Sequence, residues 1–341
     1  MKGSTGTSNL LGMTLAQLQE LCAAEGFPRF TAKQICDWLY KKRVDSIDAM
    51  TNLSLAQRAR LNEVAHIGRE TPVRCQVSKD GTKKYLFPVF DGHFIEAVYI
   101  PEDDRATLCV SCQVGCKMGC RFCVTGQQGF HGSLSAGDIL NQLFSIPEFE
   151  TLTNVVFMGM GEPMDNLDTV LAATEIMTAT WGLGWSPKRI TVSTVGIIPG
   201  LKRFLDESQC HLAVSLHNPV PQERLQMMPV QKAYPLNEVL KLLRQYDWSG
   251  QRRLSFEYTM FRGLNDDQAH AAQLVEALKG LDCRVNLIRF HESEEAPYKT
   301  SMPSTIAAFQ SYLNRSGVIC TLRASRGQDI DAACGLLAGK E

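Results

Sequence analysis

Residues 109–126 read CVSCQVGCKMGCRFCVTG, which puts five of the chain's twelve cysteines into one short stretch. The informative spacing is Cys116-x3-Cys120-x2-Cys123. Three thiolates on one tight loop can hold three irons of a 4Fe–4S cube and leave the fourth iron open to a small molecule. Gly115 and Gly119 permit close backbone approach. Lys117 and Arg121 can offset the negative charge of cluster and thiolates. Zinc is the alternative. It needs a fourth ligand, which Cys112 or His131 could supply, but zinc loops usually offer paired C-x2-C ligands and only one such pair exists here.

Several elements must position this loop. Residues 1–70 read as helical. Thr14 caps a helix that carries Leu15, Leu18 and Cys22 and stops at Gly26. Thr31 opens a second helix with Ile35, Trp38 and Leu39 as its apolar stripe, and a third lies around 53–64. Residues 71–111 form a β-extension of aromatic and β-branched runs (KKYLFPVF, HFIEAVYI, ATLCVS) broken by DGT and DGH turns. From residue 112 strands and helices alternate. The predicted strands are 155–158, 189–193, 211–216, 254–258, 285–290 and 318–323, and the predicted helices are 136–145, 167–179, 236–246, 267–278 and 304–314. Alternation implies a parallel sheet covered by helices, with the chemistry at the C-terminal strand ends. The expected units are 1–70, 71–111, 112–315 and a C-terminal segment, 316–341.

Composition sets the remaining limits. The chain is 44% hydrophobic and 21% charged, as expected of a soluble globular protein. MKGSTGTSNLLGM lacks the apolar stretch of a signal peptide and no later run could span a bilayer, so a cytoplasmic protein is expected. Thiols stay reduced there, which favours metal ligation or catalysis over disulfide staples. A net charge of −1 points to no partner, so any nucleic-acid surface must be local.

CKMGCRFC resembles the CxxxCxxC signature of radical S-adenosylmethionine (SAM) enzymes. Five flanking blocks narrow the resemblance to the RNA adenine methyltransferases of the RlmN/Cfr type: YIPEDDRATLCVSCQVGC, VVFMGMGEPMDN, ITVSTVG, AVSLHNP and RGQDIDAACGLLAG, in that family's order. The resemblance implies an α/β fold, a partial (β/α)6 radical SAM barrel with a helical N-terminal RNA-binding domain and a short β-extension. It implies a 4Fe–4S cluster on Cys116, Cys120 and Cys123, and SAM, two per turnover. The family's SAM contacts match Gly161 and Glu162 of GMGEP, Ser193, Ser215, Leu216 and His217. His291 stands where the family usually has an asparagine. Taken alone, GMGEP could be a plain strand-to-helix turn and His217 a packed histidine.

The resemblance also assigns Cys334 as the methyl carrier, Cys109 as the thiol that frees the product by forming a disulfide with Cys334, and Glu96 as the group that removes the proton from the modified carbon. Taken alone, each cysteine could be a packing residue and Glu96 a solvent-facing strand residue. Cys112 stands where the family usually has serine, and Cys22, Cys36, Cys75, Cys210, Cys283 and Cys320 read as packing residues. The implied substrate is an adenine of 23S rRNA, and for some members of tRNA, methylated at C2. The implied electron donor is a flavodoxin or ferredoxin, and a monomer is expected. Basic groups at Arg29, Lys33, Lys41, Lys42 and Arg43, at Lys79, Lys83 and Lys84, and at Arg323 and Arg326 are candidate phosphate contacts. The rival readings are the sister activity at C8, a non-catalytic RNA-binding protein with structural zinc, and an electron-transfer protein with a fully ligated cluster.

Overall fold

The computed structural model describes residues 7–292 and 296–339. The first six residues, part of the stretch read for a leader, and the last two of the C-terminal segment lie outside these. Thr14 caps the helix Leu15–Ala24 through a reciprocal pair with Gln17, and Ser54 and Gln57 do the same for Leu55–Val64. The helix begun at Thr31 has no side-chain cap and ends as a π-turn over Asp37–Lys41. A two-residue strand, Ser8–Asn9, pairs with Ala65–His66 and closes this N-terminal unit. Gly12 (φ +91°) joins it to the barrel, because a β-carbon there would sit 2.1 Å from the backbone of Gly137.

One sheet of ten strands organises the rest. In chain order they are β1 (Arg74–Val77), β2 (Lys83–Pro88), β3 (Phe94–Glu102), β4 (Arg105–Cys109), β5 (Asn154–Phe157), β6 (Ile190–Thr194), β7 (His211–Ser215), β8 (Leu254–Met260), β9 (Arg284–Arg289) and β10 (Ile319–Leu322). β1 to β4 run antiparallel. β4 to β10 run parallel, each beside the next in sequence. The sequence reading put β4 wholly in the extension. It is the shared strand, antiparallel to β3 and parallel to β5, and so it makes a seventh parallel strand. Helices Ala136–Phe144, Leu167–Thr178, Ile198–Glu207, Leu236–Leu243, Gln268–Leu278 and Pro303–Arg315 cover the outer face of this partial barrel. The helix Ile198–Glu207 had no counterpart in the sequence reading. No described helix is long and apolar enough to cross a membrane.

Strand pleating decides what faces the lumen. Residues two apart share a face. The register aligns Thr107 with Asn154, Val156 with Thr191, Thr191 with His211, Ala213 with Ser255, Ser215 with Glu257, and Glu257 with Asn286. This one set continues to Cys109, Ser193 and Ser215 at the C-terminal strand ends.

Candidate active site

The cysteine loop leaves β4, forms a hairpin between Gln113–Gly115 and Phe130–Ser133, and returns beneath the C-terminal strand ends. Gly115 (φ +72°) is required, since a β-carbon would lie 1.8 Å from the Gly129 carbonyl. Cys116 N–H donates to that same carbonyl at 2.8 Å, which sets the start of the loop. Cys120 is buried, and Cys116 and Cys123 are half-buried. Burial pushes the Cys116 thiol up to about 12, and burial with Cys123 and Cys116 as neighbours pushes Cys120 well above the usual range. Mutual repulsion of close thiolates in a dry pocket is the electrostatic problem that a bound cation solves. Three thiols on one loop, one buried and two half-buried, are the kind of donor set that an iron–sulfur cluster takes.

The cation nearest this pocket is not one the sequence suggested. Lys117 pairs with Asp165 at 2.8 Å and lies over the Phe130 ring, with half its side chain exposed, and Arg121 is exposed. Arg224 is fully buried instead. It donates to the carbonyls of Leu216 (3.0 Å), Ser215 (3.0 Å) and Val195 (3.2 Å) and to Gln231 Oε1 (2.6 Å). It thereby ties the ends of β6 and β7 beneath Cys120. Burial lowers its pKa to about 10, and Cys120 opposes that shift.

Glu162 is a knot between two loops. Its carboxylate accepts from Thr194 Oγ1 (2.6 Å), Val195 N–H (3.0 Å) and Met164 N–H (3.1 Å), and its own N–H donates to Gln113 Oε1 (2.9 Å). Burial raises it to about 7 against the pull of those donors. Gly161 (φ +101°) packs on Gln113, whose β-carbon would be 2.5 Å from an added one. Ser193 and Ser215 point into the lumen at the ends of β6 and β7. Leu216 is buried and donates its N–H to the Glu257 carbonyl. His217 (φ +56°) is buried, accepts from Thr259 N–H through Nδ1 at 3.0 Å, and meets the Phe122 ring edge-on at 4.9 Å. Burial and then Arg224 lower it to about 3, so it is neutral. His291 lies near the end of β9, where its Nε2 is 3.0 Å from Ser325 Oγ.

The remaining thiol of the tail, Cys334, lies near enough to Cys109 for its charge to act on it. Cys109 ends β4 and is buried; burial, then Cys334, pushes it up to about 12. Cys334 is exposed on the tail segment; desolvation raises its thiol, and Arg323 opposes that shift. It opens onto a cavity of about 580 Å³ within the lumen. Arg323 pairs with Glu257 at 3.3 Å, and Asn286 Nδ2 donates to the same carboxylate at 2.8 Å. Arg323 was read as a phosphate contact; it belongs to this interior pair.

The segment that carries Cys334 is strapped to the extension and to the cysteine loop. Glu96 is buried, with Oε1 3.0 Å from Lys84 Nζ. Its Oε2 accepts from Ala338 N–H (2.7 Å) and Gly339 N–H (3.2 Å). Val124 N–H donates to the Gly335 carbonyl (2.8 Å), and Thr125 Oγ1 to the Leu337 carbonyl (2.6 Å). Lys84, also read as a phosphate contact, is buried in this strap. Lys83 pairs with Glu148 and Arg43 with Glu150. Arg29, Lys33 and Lys79 stay exposed. Cys75, read as a packing residue, is exposed on the edge strand β1, whereas the other five of that group are buried. Cys112 is buried in the main core.

Comparison with known proteins agrees with this geometry. Residues 8–67 match the family described as the ribosomal RNA large subunit methyltransferase N-terminal domain, and residues 110–275 match the radical SAM superfamily. A solved radical SAM methyltransferase from Sphaerobacter thermophilus superposes with a TM-score of 0.91 at 40% identity, covering 98% of this chain and all of that one. These matches define the class as a SAM-dependent radical SAM methyltransferase. The chain is 57% identical over 96% of its length to the probable dual-specificity RNA methyltransferase RlmN of Parabacteroides distasonis, and covers 96% of it. It is 44% identical over 97% of its length to the dual-specificity RNA methyltransferase RlmN of Syntrophus aciditrophicus, and covers 97% of it. The chain belongs to the RlmN family of radical SAM RNA methyltransferases, whose cofactors are a 4Fe–4S cluster and SAM.

Proposed function

We propose that this protein methylates C2 of an adenine in 23S rRNA, and also tRNA, through a methyl group carried on Cys334. The observation that carries the reading is that the tail bearing Cys334 is hydrogen-bonded to the cysteine loop while Cys334 and Arg323 line one cavity, with Cys334 close enough to act on Cys109 at the end of β4. Cys116, Cys120 and Cys123 would hold the cluster, and Gly161, Glu162, Ser193, Ser215, Leu216, His217 and His291 would surround SAM. When bound, cluster and SAM supply a methyl group and a 5′-deoxyadenosyl radical.

The chain's own residues do the rest. Arg323 favours the Cys334 thiolate, the form able to accept a methyl group. The tail strap holds that sulfur at the lumen. Once the carbon has joined the adenine ring, protein and RNA are linked through Cys334. Glu96 takes the proton from the modified carbon, oriented by Lys84 and the two tail amides. Cys109 then displaces the product by bonding to the Cys334 sulfur. The neutral His217 ring and the Phe122 edge close the pocket against water. The target base must leave its stack to enter, so an unpaired nucleotide is the substrate. In this reading the protein works as a cytoplasmic monomer, with a flavodoxin or ferredoxin as its electron source.

The test is the mass of the tryptic peptide GQDIDAACGLLAGK from protein reconstituted anaerobically with iron, sulfide and SAM. A gain of one methylene unit on Cys334 is expected, and an unmodified peptide from cluster-loaded protein refutes the carrier. Digestion of methylated RNA then separates C2 from C8.

A further inference from the structure

Barrel lumens are usually packed with bulky branched side chains. This one is not. Its inward positions toward the N-terminal strand ends are Thr107, Asn154, Thr191, His211, Ser255 and Arg284, all polar, although Ile100, Val156 and Ile288 also line the cavity. The cavity of about 580 Å³ occupies that space and reaches Cys334. Its far mouth, at the N-terminal strand ends, is opposite the cysteine loop. Arg105, Lys188, Arg253 and Arg284 line that mouth, all exposed, with Glu102 as the carboxylate among the lining residues. None of these four cations has a carboxylate within 4 Å among the described residues. Their charge is felt locally: burial, then Arg253 and Lys188, lower His211 at the same mouth to about 4. Unpaired cations gathered at one opening attract anions and focus them inward.

A thiol at the inner end gives such an opening a use. On the reading proposed above, each turnover leaves Cys109 and Cys334 as a disulfide that must be reduced before the next. The strap from Gly335 to Gly339 is tied to the cysteine loop and to Glu96, while the exposed Cys334 lines the cavity. The lumen admits a small molecule but not a folded domain. We propose that the mouth at the N-terminal strand ends admits an anionic low-molecular-weight thiol that re-reduces the Cys109–Cys334 disulfide. The thiolate attacks Cys334 Sγ, the sulfur that faces the cavity; the S–S bond breaks, and Cys109 leaves as a thiolate that takes a proton from water. A second thiolate attacks the external sulfur of the mixed disulfide and releases Cys334. Two small thiols are oxidised to one disulfide, and the protein disulfide gains two electrons and two protons.

The test uses cluster-loaded enzyme after turnover without added thiol, when the cross-linked Cys109–Cys334 peptide is measured by mass spectrometry. Its reduction is timed with mercaptoethanesulfonate, 2-mercaptoethanol and cysteamine, each corrected for its reactivity toward a small soluble disulfide. The anionic thiol is expected to be faster than the cationic one by about tenfold or more at low salt. The preference should collapse in Arg253→Glu/Arg284→Glu and, separately, in Lys188→Glu, and at about 0.5 M salt. Equal corrected rates for the three thiols, or a preference that survives charge reversal, overturn the port while leaving the cysteine pair intact. Absence of the cross-linked peptide overturns both the port and the proposed pairing.

Discussion

Replacing Glu96 by glutamine tests the strap through stability rather than through activity. Lys84 Nζ lies 3.0 Å from Glu96 Oε1, and the two residues are 8% and 3% exposed. The other acceptor near that ammonium is the Asp331 carbonyl at 3.4 Å. Glutamine cannot serve both sides of Glu96. If its oxygen turns to the Ala338 and Gly339 amides, its NH2 faces the lysine; if it turns to the lysine, the tail loses its acceptor. Leaving a buried charge without its partner costs about 3–5 kcal/mol. At roughly 2 °C per kcal/mol, Tm should fall by about 6–10 °C. Differential scanning calorimetry of cluster-loaded protein measures this, and alkylation of Cys334 should quicken as the tail loosens. The double variant Lys84→Met/Glu96→Leu removes both charges and should recover at least half of the loss, since apolar replacements of a buried pair are often neutral. A Glu96→Gln protein melting within about 1 °C of wild type refutes the reasoning. So do single-variant effects that simply add in the double.

Two further outcomes follow from other contacts. His270 bridges Glu223 (2.7 Å) and Asp267 (2.9 Å); burial lowers its pKa, but the two carboxylates raise it overall. Its stabilisation is therefore complete below the unfolded value of about 6.5 and is lost as pH rises through the higher folded value. The Tm gap between wild type and His270→Gln should be widest near pH ~5.5 and close toward pH ~9, and a gap that does not vary with pH refutes the bridge. Gly161→Ala forces an alanine into φ +101° with its β-carbon 2.5 Å from that of Gln113, so a loss of about 2–5 kcal/mol is expected in chemical denaturation. Wild-type stability there would show that the turn relaxes freely.

The barrel was legible because its signal is local and periodic. All six strands predicted beyond residue 150 lie within two residues of those observed, since each is an apolar run between turn residues. The shared role of β4 was hidden, because pairing with β5 is a tertiary choice that crosses the whole cysteine loop. The Ser8–Asn9 strand is too short to carry any period. The cysteine loop could be read from spacing alone. Arg224 could not: an arginine in PQERLQMM reads as a solvated helix residue, and its burial depends on four acceptors presented by other loops. Lys84 and Arg323 were misread for the same reason, as their carboxylate partners come from other strands. That Cys109, Ser193 and Ser215 share the lumen face could be seen only from the register between strands.

The strap also sets an order of events as the chain is made. Ser78, Asp80, Lys84 and Glu96 hold partners at Asp329, Gly327, Asp331 and Ala338, which are synthesised 251, 247, 247 and 242 residues later. A nascent chain thus has its cysteine loop and most of its barrel before the segment that is tied to them exists. Iron and sulfide delivered during synthesis meet an open loop. The tail's bonds to the cysteine loop and to Glu96 therefore form last, after the loop and the sheet they close are already in place.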